Sequence, residues 1–388
     1  MQEHAQEWGA RFRAHVKSHK TAEGTRLQLL SGSPETHSIV VSTVMEVCEV
    51  FRAGLVADGT VKDVLYGLPL APNKVADLYA LTDELAAVGA AMRILVDHPE
   101  QVLALEQWEK PTQPQRRWSV FVKVDCGLKR AGLEPTSPAF ESLLRNVLAS
   151  PVISLYGFYS HAGQSYVSTS FADASRFLSA EVEAVNNAAG LALSILKNSP
   201  ELEAPRDPFV LSVGATPTAL AATAETRAQL ESMLNGVLEL HAGNYPLLDL
   251  QQLNTGLIDS DHIAQRVLAT VISYYPSRGK DGADEAMCDA GAIAMSKDTG
   301  PRPGYGDVDG KPWRLSRVSQ EHGILTQITP AIGGQQKAED ALKIGDMVQI
   351  VGQHACLTLA AFPWYYVVDS GEGRGDVVED VWVPWKGW

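Results

Sequence analysis

The sequence predicts a parallel (β/α)₈ barrel of residues 1–248, followed by a C-terminal β domain of residues 249–388. Two observations predict this fold class. Up to about residue 245, short runs rich in β-branched and aromatic residues alternate with stretches of helical periodicity. From about residue 250, strand-like runs are joined by turn-rich segments with little helix. At 388 residues the chain is long enough for two domains with separate cores.

Eight strand-like runs predict the strands of the barrel. They are RFRAHVK (11–17), SIVVST (38–43), DVLYG (63–67), MRILVD (92–97), WSVFVKVD (118–125), SLYGFYSH (154–161), PFVLSVG (208–214) and GVLELHAG (236–243). Between them lie segments with apolar residues at helical spacing, among them VADLYALTDELAAVGAA (75–91), SPAFESLLRNVLAS (137–150) and FADASRFLSAEVEAVNNAAGLALSILKN (171–198). Strand–helix units repeated in this order are typical of a parallel barrel.

Four further runs predict strands of the β domain. They are RVLATVISYYPS (266–277), AMCDAGAIAMS (286–296), DMVQIVGQHACLTLA (346–360) and WYYVVDS (364–370). Their joins, PSRGKDGADE (276–285) and KDTGPRPGYGDVDGK (297–311), are rich in turn-forming residues.

Composition excludes several classes of function. The net charge of −14 argues against nucleic acid and anionic membranes as partners. No apolar run reaches the roughly 18 residues that a bilayer span requires. Four cysteines without a C-x-x-C motif indicate reduced thiols, and therefore a cytoplasmic location.

His354 and Cys356 form a candidate metal pair near the C-terminus. Residues i and i+2 of a β-strand point to the same face, so the predicted strand 346–360 would present both side chains together. Imidazole and thiolate are donors that zinc prefers, and two protein ligands would leave coordination positions open for a substrate.

The carboxyl ends of the barrel strands supply the other candidates, because barrel enzymes carry their catalytic groups there. Lys17 ends the first strand between His15 and His19, in a setting suited to Schiff-base chemistry. Glycine and hydroxyl residues follow the seventh and eighth strands, where these barrels commonly bind phosphate through backbone N–H groups. The strand ends therefore predict an amine, an imidazole, an arginine and a phosphate cradle around one mouth.

A set of motifs in this order resembles a known family along nearly the whole chain. The motifs are HVKSHKT, VKVDCGLKRAG, GFYSHAGQSY, SVGATPT, ELHAGNYPLLD, DAGAIAMSKDTGP, EHG and HACLTLAAFPWYYVVD. They resemble the eukaryotic-type D-serine dehydratases, whose relatives are the D-threonine aldolases and the alanine-racemase-like (fold type III) pyridoxal-phosphate enzymes.

The resemblance implies a pyridoxal 5′-phosphate site in the barrel. Lys17 would hold the cofactor, with Lys20 as the competing candidate. Arg130 would lie near the phenolic oxygen of the cofactor, and His161 against its ring. The phosphate would be bound by Thr216, Gly243, Asn244 and Tyr245, with Gly214 shaping the loop. Either His241 or Glu239 would face the pyridine nitrogen, and the resemblance does not decide between them.

The resemblance also implies the metal and the reaction. His354-x-Cys356 resembles the zinc-dependent dehydratases, whereas the aldolases carry His-x-Asp for a harder ion. We therefore expect a dehydratase that converts a small D-amino acid, D-serine, to pyruvate and ammonia. By analogy with fold type III relatives we expect a homodimer.

Three alternatives compete with this interpretation. An aldolase acting on D-threonine or 3-hydroxy-D-aspartate would use the same residues, and a non-catalytic pyridoxal-phosphate-binding protein would lack the β domain. A racemase would need a second tyrosine base, for which GYGDV (304–308) is a poor match. Family members also begin with a longer segment ahead of the lysine strand, so we expect a truncated gene model or an alternative start.

Overall fold

The computed structural model describes residues 1–109, 117–228, 230, 234–328, 340–371 and 375–387. The chain divides into two compact units: Met1–Gly243 together with Tyr366–Trp388, and Asn244–Tyr365. The sequence instead places the boundary between residues 248 and 249 and assigns the last residues to the β domain. The two divisions differ in these respects, and the domain limits stay a prediction.

The first unit contains a closed barrel of eight parallel strands, each paired with the next and β8 paired with β1. The strands are β1 (Arg11–His15), β2 (Ser38–Val41), β3 (Asp63–Pro69), β4 (Ala91–Val96), β5 (Trp118–Lys123), β6 (Ile153–Tyr159), β7 (Val210–Val213) and β8 (Val237–Ala242). The β1–β8 pairing sets Arg13 opposite His241 and Ala14 opposite Ala242. The predicted (β/α)₈ barrel is confirmed, with a strand at each of the eight predicted runs.

Helices follow the strands along the chain. They are α1 (Gln2–Glu7), α2 (Ala22–Leu30), α3 (Val44–Arg52), α4 (Val75–Ala87), α5 (Pro99–Glu109), α6 (Pro138–Ala149), α7 (Phe171–Asn198), α8 (Thr216–Leu220) and α9 (Ala224–Ala228). The longest, α7, has the bounds that the sequence predicts. It begins after Ser170, whose side chain accepts a hydrogen bond from the backbone N–H of Asp173 and so caps the helix.

Charged side chains occupy part of the barrel interior. Arg13 is 1% exposed and donates to Glu239 (Nε to Oε1, 2.8 Å) and Asp63 (Nη1 to Oδ1, 2.7 Å). Arg93 also donates to Asp63, from Nε to Oδ2 at 2.8 Å. A buried guanidinium is tolerated only when its charge is paired, and two carboxylates meet that requirement here. The pairing fixes Glu239 within this interior network.

The second unit is a closed antiparallel barrel of six strands in the order β10-β13-β12-β11-β14-β9. The strands are β9 (Val267–Tyr275), β10 (Glu285–Cys288), β11 (Gly306–Val308), β12 (Trp313–Val318), β13 (Gly323–Gln327) and β14 (Met347–Gly352). The unit also contains the short helices α10 (Leu250–Asn254), α11 (Ala292–Met295) and α12 (Ala355–Ala360). Trp313 is fully buried in its core, beside Leu315 and Leu325. The predicted C-terminal β domain is confirmed.

Two of its predicted strands end earlier than expected. The runs 286–296 and 346–360 each begin as strands, β10 and β14, and continue as helices, α11 and α12. The prediction that His354 and Cys356 share one face of a strand is therefore wrong. His354 is the N-cap residue of α12, with extended backbone, and Cys356 lies in the first turn of that helix. Short apolar runs do not distinguish strand from helix by periodicity alone.

A separate two-stranded sheet pairs β15 (Tyr365–Val367) with β16 (Asp380–Trp382). Of the helices that the structure describes, none is both long and apolar enough to cross a membrane.

Candidate functional site

Lys17 lies directly beyond the carboxyl end of β1. Val16–Ser18 form a single 3₁₀ turn, and the backbone N–H of Lys17 donates to Nδ1 of His15 at 3.4 Å. Burial lowers the pKa of His15 and His161 well below the usual value, and the charge of Lys17 lowers both further. The predicted lysine is therefore placed among imidazoles that stay neutral at physiological pH.

Lys20, the competing candidate, is held in an ion pair. Its Nζ lies 2.9 Å from Oε1 of Glu46, a residue that is only 1% exposed. Its backbone has a positive φ of 52°, and its carbonyl oxygen accepts a hydrogen bond from the N–H of Trp385 at 2.6 Å. The Lys20 amine is therefore engaged by a buried carboxylate, and the assignment of Lys17 as the reactive amine stays a prediction.

His241 and His161 form a stacked imidazole pair at the carboxyl ends of β8 and β6. Their ring centroids are 6.1 Å apart, and His241 also stacks on Tyr159 at 4.2 Å. Nδ1 of His161 lies 2.7 Å from the carbonyl oxygen of Gly214. Burial lowers the pKa of His241, as it does for His161, so both rings are neutral. Two flat neutral rings in this position can pack against a planar cofactor.

Ser212 determines which nitrogen of His241 carries the proton. The Ser212 hydroxyl donates to Oε1 of Glu239 at 2.9 Å and lies 3.0 Å from Nδ1 of His241. Because its one proton goes to the ion-paired carboxylate, Ser212 accepts from Nδ1–H of His241. Nε2 then keeps its lone pair, and this buried atom has no hydrogen-bond partner within the part of the chain that the structure describes. His241 rather than Glu239 thus has an acceptor to offer a cofactor.

The residues predicted to bind phosphate lie in the loops after β7 and β8. Gly214 has a φ of 144°, and a Cβ atom there would overlap the carbonyl oxygen of His241. Thr216 is buried at the first residue of α8. At Gly243 a Cβ atom would lie 3.0 Å from the Cβ and carbonyl oxygen of His15. Only glycine fits at position 214, because any side chain there would meet the backbone of β8.

Arg130 is exposed in the loop that follows β5. Its charge lowers the pKa of His161, after the larger contributions of burial and of Lys17. The barrel therefore gathers Lys17, Arg130 and His161 at one end. Asn244 and Tyr245 begin the second unit, where Nδ2 of Asn244 donates to Oδ2 of Asp249 at 2.6 Å. Their predicted part in binding phosphate stays a prediction.

Two buried ionisable residues were not among the predicted site residues. Lys123 ends β5, and burial lowers its pKa to about 8. Glu181 lies within α7, and burial raises its pKa to about 7. Glu181 has a signal in the sequence, because it falls in the apolar stripe of the helix with Leu178 and Val185 at helical spacing.

In the second unit, His354 and Cys356 lie within hydrogen-bond distance of each other, although not on a strand. Nδ1 of His354 is 2.7 Å from Oδ2 of Asp298. Burial opposes the charged form of His354, but Cys356, Asp298 and Asp249 outweigh it and raise the pKa of His354 to about 9. The pair is thus brought together by the start of α12 and oriented by Asp298.

Asp249 holds the start of α12. Its Oδ2 accepts from the N–H of Ala355 at 2.8 Å, and its Oδ1 accepts from the N–H of Gln252 at 2.9 Å. Among the described residues, no group of three or more His, Cys, Asp or Glu side chains is arranged to hold a metal.

Two family models match the chain, "Alanine racemase, N-terminal domain" over residues 1–233 and "Putative serine dehydratase domain" over residues 264–368. The D-serine dehydratase of Schizosaccharomyces pombe is 41% identical, over 100% of this chain and 88% of its own length. The D-serine dehydratase of Saccharomyces cerevisiae is 37% identical, over 97% and 88%.

A solved structure supports the same fold. The D-threo-3-hydroxyaspartate dehydratase from Delftia sp. HT23 is 28% identical and matches with a TM-score of 0.76, over 100% of this chain and 93% of its own. A mutant D-threo-3-hydroxyaspartate dehydratase in a metal-free form matches with a TM-score of 0.79.

Proposed function

The chain belongs to the D-serine dehydratase family within the alanine-racemase-like enzymes, and on that premise we propose that it converts D-serine to pyruvate and ammonia with pyridoxal phosphate and zinc. The observation that carries the proposal is the His354–Cys356 pair, in a chain that matches D-serine dehydratases along almost its whole length. The aldolases that the sequence also resembles would carry aspartate at the position of Cys356.

The residues of the barrel fit pyridoxal phosphate. Lys17 would hold the cofactor, His161 would lie against its ring and Arg130 near its phenolic oxygen. Thr216 and Gly243, with Asn244 and Tyr245, would hold its phosphate. The buried lone pair on Nε2 of His241, inferred above, suits a hydrogen bond from a protonated ring nitrogen. When bound, pyridoxal phosphate supplies an electron sink for the carbanion at the substrate Cα.

Lys17 acts as the general base that removes the α-proton. The imidazoles of His15 and His161 beside it are neutral, so they add no positive charge next to the amine when it takes up a proton. A base reaches only the hydrogen on its own side of the substrate, which selects one configuration at Cα. Loss of the α-proton and the β-hydroxyl removes one water. Hydrolysis of the resulting enamine returns a water and releases ammonia, so no oxidant is needed.

His354 and Cys356 fit zinc, because imidazole and thiolate are donors that zinc prefers. Asp298 occupies Nδ1 of His354, which leaves Nε2 for the metal. Bound zinc supplies a Lewis acid for the β-hydroxyl, which is otherwise a poor leaving group. A mutant D-threo-3-hydroxyaspartate dehydratase is described in a metal-free form, which is consistent with a metal in that relative and supports the proposal of one here.

The test is an assay of the purified protein with D-serine, L-serine and D-threonine, with and without a zinc chelator. We expect pyruvate from D-serine only with zinc present, and none from L-serine. Glycine and an aldehyde from D-threonine, without pyruvate from D-serine, would establish an aldolase instead. Bound cofactor without turnover of any substrate would establish a non-catalytic binding protein. We expect Cys356→Ser to lower zinc content and pyruvate formation together.

The assembly and location of the protein are part of the same proposal. We propose a homodimer, by analogy with fold type III relatives. We also propose a cytoplasmic location, because all four cysteines are free thiols. Sedimentation of the purified protein tests the first, and fractionation of the source cells tests the second.

A further inference from the structure

Glu181 is a buried carboxyl group that the proposed reaction does not use directly. It lies within α7 and is fully shielded from solvent, in the apolar stripe that includes Leu178 and Val185. Burying a carboxyl group costs several kcal/mol unless hydrogen bonds compensate, so its partners explain why the helix tolerates it.

Those partners belong to two different loops. Oε1 of Glu181 accepts a hydrogen bond from the N–H of Ala162 at 2.6 Å and from the N–H of Gly214 at 3.2 Å. Ala162 directly follows His161 in the loop after β6, and Gly214 begins the loop after β7. One oxygen atom thus joins the residue next to the ring-facing histidine to the start of the phosphate loop.

Further contacts hold the loops after β6 and β7 together. The carbonyl oxygen of Gly214 lies 2.7 Å from Nδ1 of His161, so Gly214 is held on one side by Glu181 and on the other by His161. The Thr218 hydroxyl accepts from the N–H of Ala215 at 2.8 Å and donates to the carbonyl oxygen of Ala215 at 3.3 Å, which closes the turn after Gly214. The start of the segment 214–218 is therefore tied to Glu181, and the turn that follows is held by Thr218.

We propose that Glu181 is a positioning residue, which fixes His161 and the loop 214–218 in the arrangement that binds the phosphate and ring of the cofactor. This inference rests on the proposed function, since it assumes that pyridoxal phosphate binds at these loops. The energetic reason is preorganisation: ordering two loops in advance removes a cost that cofactor binding would otherwise bear.

The test compares variants at position 181 with a control on the same helix. Glu181→Ala removes the oxygen that accepts hydrogen bonds from two backbone N–H groups. Glu181→Gln keeps a carbonyl oxygen that can accept both of these hydrogen bonds. Glu181→Asp keeps the charge but withdraws the oxygen by roughly one C–C bond, about 1.5 Å. Glu183→Ala is the control, because Glu183 is exposed on α7.

Two measurements are made on each variant. Hydrogen exchange of the cofactor-free protein reports order in the peptides that contain residues 162 and 214. Titration with pyridoxal phosphate, followed by absorbance and visible circular dichroism, reports affinity and the setting of the bound ring. We expect Glu181→Ala to exchange faster in both peptides and to bind the cofactor about 10- to 100-fold more weakly. We expect Glu181→Gln to stay within about threefold of wild type, and Glu183→Ala to match it.

Each result decides the proposal. If Glu181→Ala does not fold, Glu181→Asp takes its place in the test. We expect the cofactor affinity of Glu181→Asp to lie between the wild-type value and the value expected for Glu181→Ala. Wild-type affinity and exchange in a folded Glu181→Ala or Glu181→Asp protein would overturn the proposal, as would equal losses in Glu183→Ala. Faster exchange with unchanged cofactor affinity would reduce Glu181 to a structural role. Wild-type protein that binds no pyridoxal phosphate would overturn the proposed function itself, while the exchange data would still report whether Glu181 orders the loops.

Discussion

Lys17 and Lys20 are close in sequence, yet the fold gives their amines different surroundings. Lys20 pairs with the buried carboxylate of Glu46, which also accepts from the N–H of Ser42 at 2.8 Å. Lys17 lies instead beside the neutral imidazoles of His15 and His161. Removing the partner of a buried carboxylate destabilises a fold, because the charge left behind is uncompensated. The proposed catalytic role of Lys17 and the structural role of Lys20 can therefore be tested separately.

We expect Lys17→Ala to lose covalent cofactor and to lower pyruvate formation by a factor of about 10² to 10⁴, the usual contribution of a general base. We expect Lys20→Ala to keep covalent cofactor but to lose about 1–3 kcal/mol of folding free energy, because Glu46 loses its counter-ion. Borohydride reduction followed by peptide mass analysis locates the modified lysine, and urea unfolding gives the stability. A reduced cofactor on Lys20 in the wild-type protein would reverse the assignment.

Asp298 gives the metal pair a supporting residue that can be tested alone. Its contact with Nδ1 of His354 orients the ring, and loss of such a partner typically weakens metal binding 10- to 100-fold. We therefore expect Asp298→Asn to bind zinc more weakly by about that factor, measured by titrating metal-free protein against a chromophoric chelator. Asp261→Asn, at an exposed aspartate of the same unit, serves as the control. Equal zinc affinity in both variants would contradict this role.

At the scale of elements, the sequence predicts the barrel better than the β domain. The bounds of α7 and the eight barrel strands follow from period and β-branched composition, since each strand is buried on both faces. The short strands β11, β12 and β13 were not predicted, because they contain glycine or charged residues and lack a strong β-branched run, although β12 pairs with β11 and with β13 in consecutive hairpins. The sequence is most informative where an element carries its own pattern.

The two errors that matter for function share a cause. The helix α12 was predicted as strand because HACLTLA is a short apolar run, and its start depends on Asp249, which is distant in sequence. The position of Glu181 in the apolar stripe of α7 is visible in the sequence, but its partners, the N–H groups of Ala162 and Gly214, are backbone atoms that no sequence pattern displays. Tertiary contacts of this kind become visible only when the elements are placed together.

At the carboxyl end of the barrel, burial shifts the pKa of several ionisable groups away from their usual values. Burial lowers the pKa of His15, His161 and His241, and it raises the pKa of Glu181 to about 7. These shifts have opposite consequences for stability. Below about pH 6.5, a histidine in the unfolded chain binds a proton, whereas the buried ring in the folded protein stays neutral. Above about pH 4.5, the side chain of Glu181 loses its proton in the unfolded chain but keeps it in the folded protein.

We therefore expect the cofactor-free protein to lose stability as the pH falls below about 6.5. Each proton taken up only on unfolding changes the free energy of unfolding by up to about 1.4 kcal/mol per pH unit, so these three histidines together contribute up to about 4 kcal/mol per pH unit. Buried His19, whose pKa burial lowers to about 4, acts in the same direction. Glu181 opposes them with a single proton between about pH 4.5 and 7, and the histidines prevail. Urea unfolding from pH 7.5 to 5.5 measures the slope. Glutamine in Glu181→Gln has no proton to keep in the folded state. The free energy of unfolding of this variant should therefore fall with decreasing pH more steeply than that of wild type, by up to about 1.4 kcal/mol per pH unit. Stability that stays constant over this range would mean that the three imidazoles are not buried as neutral groups.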